Sequence, residues 1–219
     1  VKQFSCFDTN FIFDEKSTMN PRVAKIESPI FSFNNCQFIR CGSKLIDKGG
    51  ALFYDGTYSN EDVSISDCIF DECHAIDSSS FKLKFNSNVY PTFRNITFSN
   101  TNSNYNIYIT YKVDFRGTIK LERLRFINNT NYLEGGGSGI WISNFQNSYN
   151  SYSIRLYFSY CEFINNYTPL NGGGYGVGVN EAIEPTQLSF TSCHFIGNHC
   201  NGTDGGGALW IRTSLSCTI

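Results

Sequence analysis

The amino-acid sequence repeats one pattern along its length, and this repetition limits the possible folds more than any other feature. Ser192–Ile211 contains a Cys-x-Phe pair, an Asn three residues after the Phe, and a Gly-rich run followed by apolar residues. Similar segments begin at Asn35, Arg123 and Tyr160. Self-similarity at a period of about 20–50 residues is the signature of solenoids, in which successive units stack on one another. We therefore predict that residues 1–219 form a single solenoid, which we expect to be part of a longer repeat protein.

One Phe marks each unit, and aligning the units on this residue (the repeat Phe) places like residues in columns. Successive repeat Phe residues are 28 to 37 residues apart. Asn or Cys recurs three residues after the repeat Phe, and Cys recurs two residues before it. A stacked Asn amide can hydrogen-bond to its equivalent in the next unit, so these columns predict internal ladders. The repeat Phe residues are Phe7, Phe38, Phe70, Phe98, Phe126, Phe163 and Phe195. The predicted ladder residues are Asn10, Asn129, Asn166, Asn198, Cys36, Cys68, Cys161 and Cys193.

Within each unit, apolar and polar residues alternate with a period of two, which is typical of β-strands. Leu188 and Phe190, for example, flank Ser189. Three short strands and three turns per unit describe one coil of a parallel β-helix, and the handedness rule for parallel crossovers makes it right-handed. The sequence therefore predicts an all-β fold, a right-handed parallel β-helix of about seven coils.

The segment Leu121–Asn129 also fits the leucine-rich-repeat pattern L-x-x-L-x-L-x-x-N, which provides an alternative fold. A leucine-rich repeat likewise stacks parallel strands and an Asn ladder, but its second half returns through a helix or helical turns. Here the second half of the unit is Gly-rich and then apolar, as in Gly206–Ile211. The β-helix is therefore the favoured of the two solenoids.

The composition argues against several classes of partner. Charged residues make up 16% of the chain, compared with about 25% in an ordinary globular protein, and the net charge is −2. This balance gives no reason to expect a nucleic acid or an anionic membrane as partner. No apolar run approaches the roughly 20 residues of a membrane-spanning helix. We also expect no cofactor.

The nine Cys residues are many for a cytosolic protein and indicate an oxidising compartment. Because the number is odd, at least one Cys has no disulfide partner inside the chain. The stacked Cys columns are compatible with buried packing thiols, with disulfides between adjacent units, or with a metal site. The spacings Cys36-x4-Cys41 and Cys68-x4-Cys73 are not those of zinc sites, so we predict no metal.

Four N-glycosylation sequons occur in the chain, at Asn95, Asn128, Asn166 and Asn201. Asn166 belongs to the predicted internal ladder. Glycosylation is therefore expected only at Asn95, Asn128 and Asn201, and the sequons are compatible with an extracellular or cell-surface location.

The loops that follow the third strand of each unit vary most in length and are rich in Tyr, Asn and Ser. Aromatic and small amide side chains form adaptable recognition surfaces at a low cost in ordering. We therefore predict a binding edge, the alternative being that these loops are merely polar and variable. The predicted binding residues are Tyr54, Tyr58, Tyr90, Phe145, Tyr149 and Tyr152.

An enzyme that acts on polysaccharides is the main functional alternative, because some parallel β-helices are lyases or hydrolases. Such chemistry needs paired or clustered carboxylates. Asp67, Asp71 and Glu72 cluster on one unit but have no acidic partners in the units on either side, and a His194–Glu162 pair stands alone. We therefore predict that the chain is not an enzyme and has no catalytic residues.

The alternating tetrapeptides FxxN and GGA[ILV] resemble the repeats of the chlamydial polymorphic outer-membrane protein family and of similar protist surface proteins. The resemblance implies a right-handed β-helix displayed outside the cell and used for adhesion. Its partner would be a protein or glycan of a neighbouring surface, or other copies within an extracellular filament. FxxN is intact at Phe7–Asn10, Phe126–Asn129, Phe163–Asn166 and Phe195–Asn198, and GGAL occurs at Gly49–Leu52 and Gly206–Leu209.

Overall fold

The structure is a computed structural model, and every regular element in its described residues is a β-strand. The described residues are 3–7, 10–12, 24–26, 30–43, 50–56, 63–75, 78–85, 90–111, 116–130, 139–144, 153–169, 177–179, 186–201 and 215–218. The strands are β1 (Gln3–Phe7), β2 (Asn10–Ile12), β3 (Ala24–Ile26), β4 (Ile30–Asn34), β5 (Gln37–Ile39), β6 (Gly42–Ser43), β7 (Leu52–Gly56), β8 (Val63–Ser66), β9 (Ile69–Asp71), β10 (His74–Ala75), β11 (Ser78–Phe85), β12 (Thr92–Arg94), β13 (Thr97–Ser99), β14 (Tyr105–Tyr111), β15 (Arg116–Glu122), β16 (Arg125–Ile127), β17 (Ile140–Asn144), β18 (Ser153–Ser159), β19 (Glu162–Ile164), β20 (Tyr167–Thr168), β21 (Val177–Val179), β22 (Thr186–Thr191), β23 (His194–Ile196), β24 (His199–Cys200) and β25 (Leu215–Thr218).

These strands form three large parallel sheets. The first sheet has the order β1-β4-β8-β12-β15-β18-β22-β25, and the second has the order β2-β5-β9-β13-β16-β19-β23. The third sheet has the order β21-β17-β14-β11-β7-β3, and two-stranded sheets join β6 to β10 and β20 to β24. Each strand pairs with the equivalent strand of the neighbouring repeat, so the repeats stack in register. The predicted all-β architecture with parallel, stacked repeats is confirmed.

The second half of the repeat distinguishes the two solenoids that the sequence allowed. It forms the strands of the third sheet, and the described residues contain no helix. The strand β14, for example, pairs with β11 on one side and β17 on the other. This arrangement does not agree with the helical return of a leucine-rich repeat.

The register of the first repeat corrects one sequence alignment. Phe11, and not Phe7, lies beside Phe38 in the second sheet, whereas Phe7 pairs with Asn34 in the first sheet. Asn10 therefore lies beside Gln37 and does not belong to the predicted Asn ladder. A shift of four residues is even, so the period-two pattern of inward and outward positions is the same in both alignments. The pattern alone could not detect the error.

The core between the sheets is built from aligned aromatic and aliphatic side chains. The repeat Phe rings of the second sheet are stacked, with centroid separations from 4.6 Å between Phe38 and Phe70 to 5.4 Å between Phe70 and Phe98. Each such pair contributes about 0.5–1.5 kcal/mol beyond its buried area. A second buried column lies in the first sheet. It contains Phe33, Ile65, Phe93, Leu121, Phe158 and Phe190.

From β5 onward, each of the two bends that flank a second-sheet strand contains one residue with a positive φ angle. These residues stand three before and two after the repeat Phe, and in the described residues Gly197 is the only glycine among them. A left-handed conformation costs an ordinary L-residue about 1–2 kcal/mol, and Asn and Asp tolerate it best. These bends use mainly Asn and charged residues. They are Asn35, Arg40, Asp67, Glu72, Asn95, Asn100, Arg123, Asn128, Tyr160, Asn165, Ser192 and Gly197.

Candidate functional site

Three of the predicted ladder residues form a continuous hydrogen-bonded column inside the stack. Asn129 Nδ2 donates to Asn166 Oδ1 at 3.1 Å, and Asn166 Nδ2 donates to Asn198 Oδ1 at 2.8 Å. The backbone N–H groups of Asn129 and Asn166 donate to the same two oxygens. Each amide therefore satisfies polar groups of the neighbouring repeats, which is a structural role.

The ladder continues through Thr101, which the alignment places in the same column as an FxxT variant, and then through Asn106, which the alignment does not place there. Thr101 donates both its backbone N–H and its hydroxyl to Asn129 Oδ1, at 2.9 and 2.7 Å. Asn106, from the third sheet, then donates to Thr101 Oγ1 at 2.7 Å and to Ser79 Oγ at 3.3 Å. Thr101 occupies the Asn position of its repeat, so the FxxT variant was a sequence signal. Asn106 had none, because its approach depends on how the third sheet packs.

The Cys columns are thiols in contact across neighbouring repeats, and all of them are buried except Cys193, which is partly exposed. Cys68 contacts Cys36, and burial raises the pKa of the Cys68 thiol to about 12. Burial likewise raises the pKa of Cys73, which lies against Cys41. The hydrogen bond with Cys193, followed by burial, raises the pKa of Cys161. These high values make the thiols of Cys68, Cys73 and Cys161 poor nucleophiles.

Seven Cys residues have side chains that the structure describes, and all seven are thiols. This agrees with packing thiols, rather than with disulfides or a metal site. Among the described residues, no three His, Cys, Asp or Glu side chains come together as a metal site would require.

The sequons divide into exposed and buried Asn residues. Asn95, Asn128 and Asn201 are exposed at bends or strand ends. Asn166 is fully buried, and its amide nitrogen donates to both Phe126 O and Asn198 Oδ1. Asn166 cannot be glycosylated in the folded chain.

The carboxylates considered for catalysis are engaged at the bends. Asp67 accepts hydrogen bonds from Asn34 at 3.1 Å and Asn95 at 2.7 Å, on either side of its own repeat. Asp71 accepts from Ser99 and Asn100. These carboxylates join neighbouring repeats and form no acid/base pair.

The two remaining carboxylates form ion pairs. Glu72 lies 3.9 Å from Arg40, and Glu162 Oε2 accepts from Arg125 Nε at 2.7 Å. All four side chains are partly exposed, so these pairs contribute little to stability.

The predicted binding aromatics have different outcomes. Tyr54 was assigned to the loop edge, and this was wrong: it is fully buried, and its ring packs 5.7 Å from Phe85. The strand β7 continues to Gly56, so Tyr54 is an inward strand residue rather than the first residue of a loop. Tyr90 is 47% exposed. Tyr58, Phe145, Tyr149 and Tyr152 lie outside the described residues.

Tyr90 lies beside a groove of about 230 Å³ on the outer face of the first sheet. The alternation along β12 and β15 explains the groove, because Phe93, Ile119 and Leu121 point into the core while the residues between them point outward. The outward residues form two facing pairs, Thr92 with Lys120 and Arg94 with Glu122. The side chains that line the groove are Tyr90, Thr92, Arg94, Thr118, Lys120 and Glu122.

The position of the Tyr90 ring depends on a glycine in the next repeat. The ring occupies the space that a Cβ atom on Gly117 would need, so no larger residue fits there without displacing it. The hydroxyl of Tyr90 also lies close enough to Tyr111 to act on it. Burial first, and the neighbouring Tyr90 second, raise the pKa of the Tyr111 hydroxyl. One edge of the ring therefore lies against Gly117, while nearly half of the residue remains exposed.

The groove is positively charged although the whole chain is slightly acidic. Glu122 lies 3.9 Å from Arg94 and 3.7 Å from Arg123, so one carboxylate serves two guanidinium groups. Lys120 is exposed and forms no ion pair with the described residues. Arg155, exposed and paired by backbone with Thr118, extends the positive surface into the next repeat.

The sequence patterns of the repeat did not predict this charged face. The outward positions of the first sheet carry a usable signal. They are Ser32 and Ser64 in two early repeats but Lys120 in a later one, so the charge is concentrated on the middle of the stack.

The third sheet offers no comparable surface in the described residues. Nearly every side chain of β11 is buried, on both faces of the strand. Even Lys82 is only 2% exposed, with its Nζ atom 4.3 Å from the centre of the Tyr108 ring.

No described helix is both long and apolar enough to cross a bilayer. Comparisons with protein-family models, with curated proteins and with solved structures found no match for the chain.

Proposed function

We propose that this chain is a right-handed parallel β-helix of about seven coils that acts as a structural and adhesive module outside the cell or on its surface. Strands of the first, second and third sheets follow one another along the chain in constant order, which supports continuous coiling. The right hand follows from the rule for crossovers between parallel strands. The location rests on the Cys-rich composition and on the resemblance to surface-displayed repeat proteins.

The observation that carries the binding role is the contrast between the inside and the outside of the stack. Inside, the amides of Asn129 and Asn166 and the aromatic rings are used to hold neighbouring repeats together. Outside, Tyr90 remains nearly half exposed beside a groove that contains Lys120, which forms no ion pair with the described residues. A rigid rod with such a lateral surface is suited to holding a partner rather than transforming one, since the described carboxylates form no acid/base pair.

An adhesion assay tests this function. Folded protein immobilised on a surface should retain cells or extracellular matrix, whereas the same amount of heat-denatured protein should not. The variant Tyr90→Ala should reduce retention. The control Tyr160→Asn removes another exposed ring, which lies at a bend that Asn tolerates, and should leave retention unchanged. Equal retention by folded and denatured protein would contradict the proposal.

The two other functions that the sequence suggested give different results with the same preparation. Release of new reducing ends from an acidic polysaccharide would indicate an enzyme. Regular filaments in electron micrographs of the purified protein would indicate a structural subunit. A module that only binds should give neither result.

A further inference from the structure

The groove beside Tyr90 brings three kinds of binding group close together. The exposed ring offers an apolar face, Thr92 and Thr118 offer hydroxyl groups, and Lys120 offers a cation. Because Thr92 and Lys120 occupy facing positions in adjacent strands, their side chains are about 5 Å apart at the base. A ligand for this groove therefore needs an apolar face, hydrogen-bonding groups and a negative charge at short spacing.

We propose that the groove binds an anionic saccharide, with a sugar ring on Tyr90 and a carboxylate or sulfate group at Lys120 and Arg155. This proposal rests on the proposed function, since it names the ligand of the same lateral surface. The C–H groups of a sugar ring form an apolar face that packs on an aromatic ring, and its hydroxyl groups suit Thr92 and Thr118. Arg and Lys both bind such anions, Arg through a planar fork and Lys as a point charge.

Charge selects an acidic sugar over a neutral one. Arg94, Lys120, Arg123 and Arg155 carry four positive charges on this face, and Glu122 carries one negative charge between two of them. The guanidinium groups of Arg94 and Arg123 are partly neutralised by that carboxylate. Lys120 and Arg155, which form no described ion pair, therefore provide the strongest attraction for an anion.

The shape of the surface selects a saccharide over an acidic peptide. The first sheet continues on both sides of β12 and β15, so the described part of the groove has no free sheet edge to which an extended peptide could add as a strand. Recognition must come from side chains alone. A stiff ligand made of ring-shaped units with repeated charges fits those side chains.

Calorimetric titration with three hexasaccharides tests the proposal. The probes are a sulfated one from heparin, a carboxylated one from hyaluronan and a neutral one from dextran. We expect at least one anionic probe to bind, dextran not to bind, and affinity to fall as salt rises because the contact is electrostatic. The probe that binds identifies sulfate or carboxylate as the recognised anion. A phosphoserine peptide that binds as tightly as the better saccharide would overturn the proposal.

Variants then locate the site. Lys120→Ala and Arg155→Ala should each weaken binding about tenfold, the loss expected for one charge-assisted hydrogen bond. Gly117→Val keeps every charge but displaces the Tyr90 ring, and should also weaken binding. The control Arg125→Gln removes one positive charge from the second sheet, where Arg125 pairs with Glu162, and should have no effect. An equal loss in Arg125→Gln and Lys120→Ala would overturn the assignment to the groove.

The adhesion assay separates this inference from the function on which it rests. If the saccharide that binds also inhibits adhesion, both the saccharide site and the adhesive function are supported. If folded protein adheres but none of the hexasaccharides binds, the module is adhesive and the saccharide site is refuted. If a saccharide binds at Lys120 but the folded protein does not adhere, the site stands and the adhesive role fails.

Discussion

The two halves of one internal column use different side chains to donate a hydrogen bond to a backbone carbonyl. Three residues after the repeat Phe, early repeats have Cys41 and Cys73, whereas later repeats have Asn. Cys73 Sγ donates to Phe38 O at 3.4 Å, and Asn129 Nδ2 donates to Phe98 O at 3.0 Å. In each case the acceptor is the carbonyl of the repeat Phe in the preceding repeat. The position is therefore defined by a backbone carbonyl that needs a donor.

The difference between the halves lies in how many bonds each side chain makes. A thiol is one weak donor, whereas an amide has two N–H groups and an oxygen. Asn166 uses all of these, since it donates to Phe126 and Asn198 and accepts from the backbone and side chain of Asn129. The Asn half is thus joined by a polar network. The Cys half relies mainly on packing, and burial raises the pKa of the Cys73 thiol.

The largest effect is expected when the network is broken at its centre. Asn166→Ala removes the side-chain donor to the Phe126 carbonyl and the oxygen that accepts from both the backbone and the side-chain N–H groups of Asn129 in the buried interior. We expect the free energy of unfolding to fall by about 4 kcal/mol, as several unsatisfied buried groups imply. Urea denaturation measures this loss. The control Asn165→Gly changes the adjacent exposed bend residue and should cost less than about 0.5 kcal/mol; a similar loss in both variants would refute the network's role.

A smaller loss is expected from the matching truncation in the Cys half. Cys73→Ala removes one weak donor and a single sulfur atom from a fully buried site. We expect a loss of about 1–2 kcal/mol by the same urea measurement. If Cys73→Ala costs as much as Asn166→Ala, the two halves do not differ as we infer.

Cys68, which lies in the separate Cys column two residues before the repeat Phe, should make stability depend on alkaline pH. The pKa of Cys68 rises from 9.0 in the unfolded chain to about 12 in the folded one, so the folded state keeps its proton longer. The stabilisation is therefore complete below pH 9 and is lost as the pH rises toward 12. At pH 10 the loss amounts to about 1.4 kcal/mol. Urea denaturation of wild type and Cys68→Ala from pH 7 to 11 isolates the contribution; parallel curves would show that the thiol does not contribute.

The smallest effect tests the second use of Asn in this molecule, at the bends. Tyr160 has a φ angle of 56° and is 58% exposed. Its left-handed backbone conformation is unfavourable, and the side chain is too exposed for burial to compensate. Tyr160→Asn should raise the melting temperature slightly, with a gain of about 0.5 kcal/mol. A loss of stability would mean that the exposed ring makes contacts that outweigh its backbone strain.

Much of the stack could be predicted because each repeat contacts its neighbours through equivalent residues. The Phe column from Phe38 to Phe195 and the Asn ladder from Asn129 to Asn198 follow directly from alignment. The site was harder to predict. Tyr90 was one of six predicted binding residues, and no sequence signal connected it with Gly117. The groove joins side chains of two strands and a bend, and no local pattern links such residues.

The sequence by itself determined the parallel stacked architecture, the strand periodicity and the composition of the inner columns, because these depend on a pattern that every repeat contains. Tertiary structure decided the rest. It placed Phe11 rather than Phe7 beside Phe38, buried Tyr54, and brought Asn106 to the ladder. It also set Tyr90 over Gly117 next to Lys120. The first physical reason is that registers differing by an even number of residues have the same inward and outward pattern, so only backbone pairing selects between them. The second is that the outer surface depends on residues that differ between repeats.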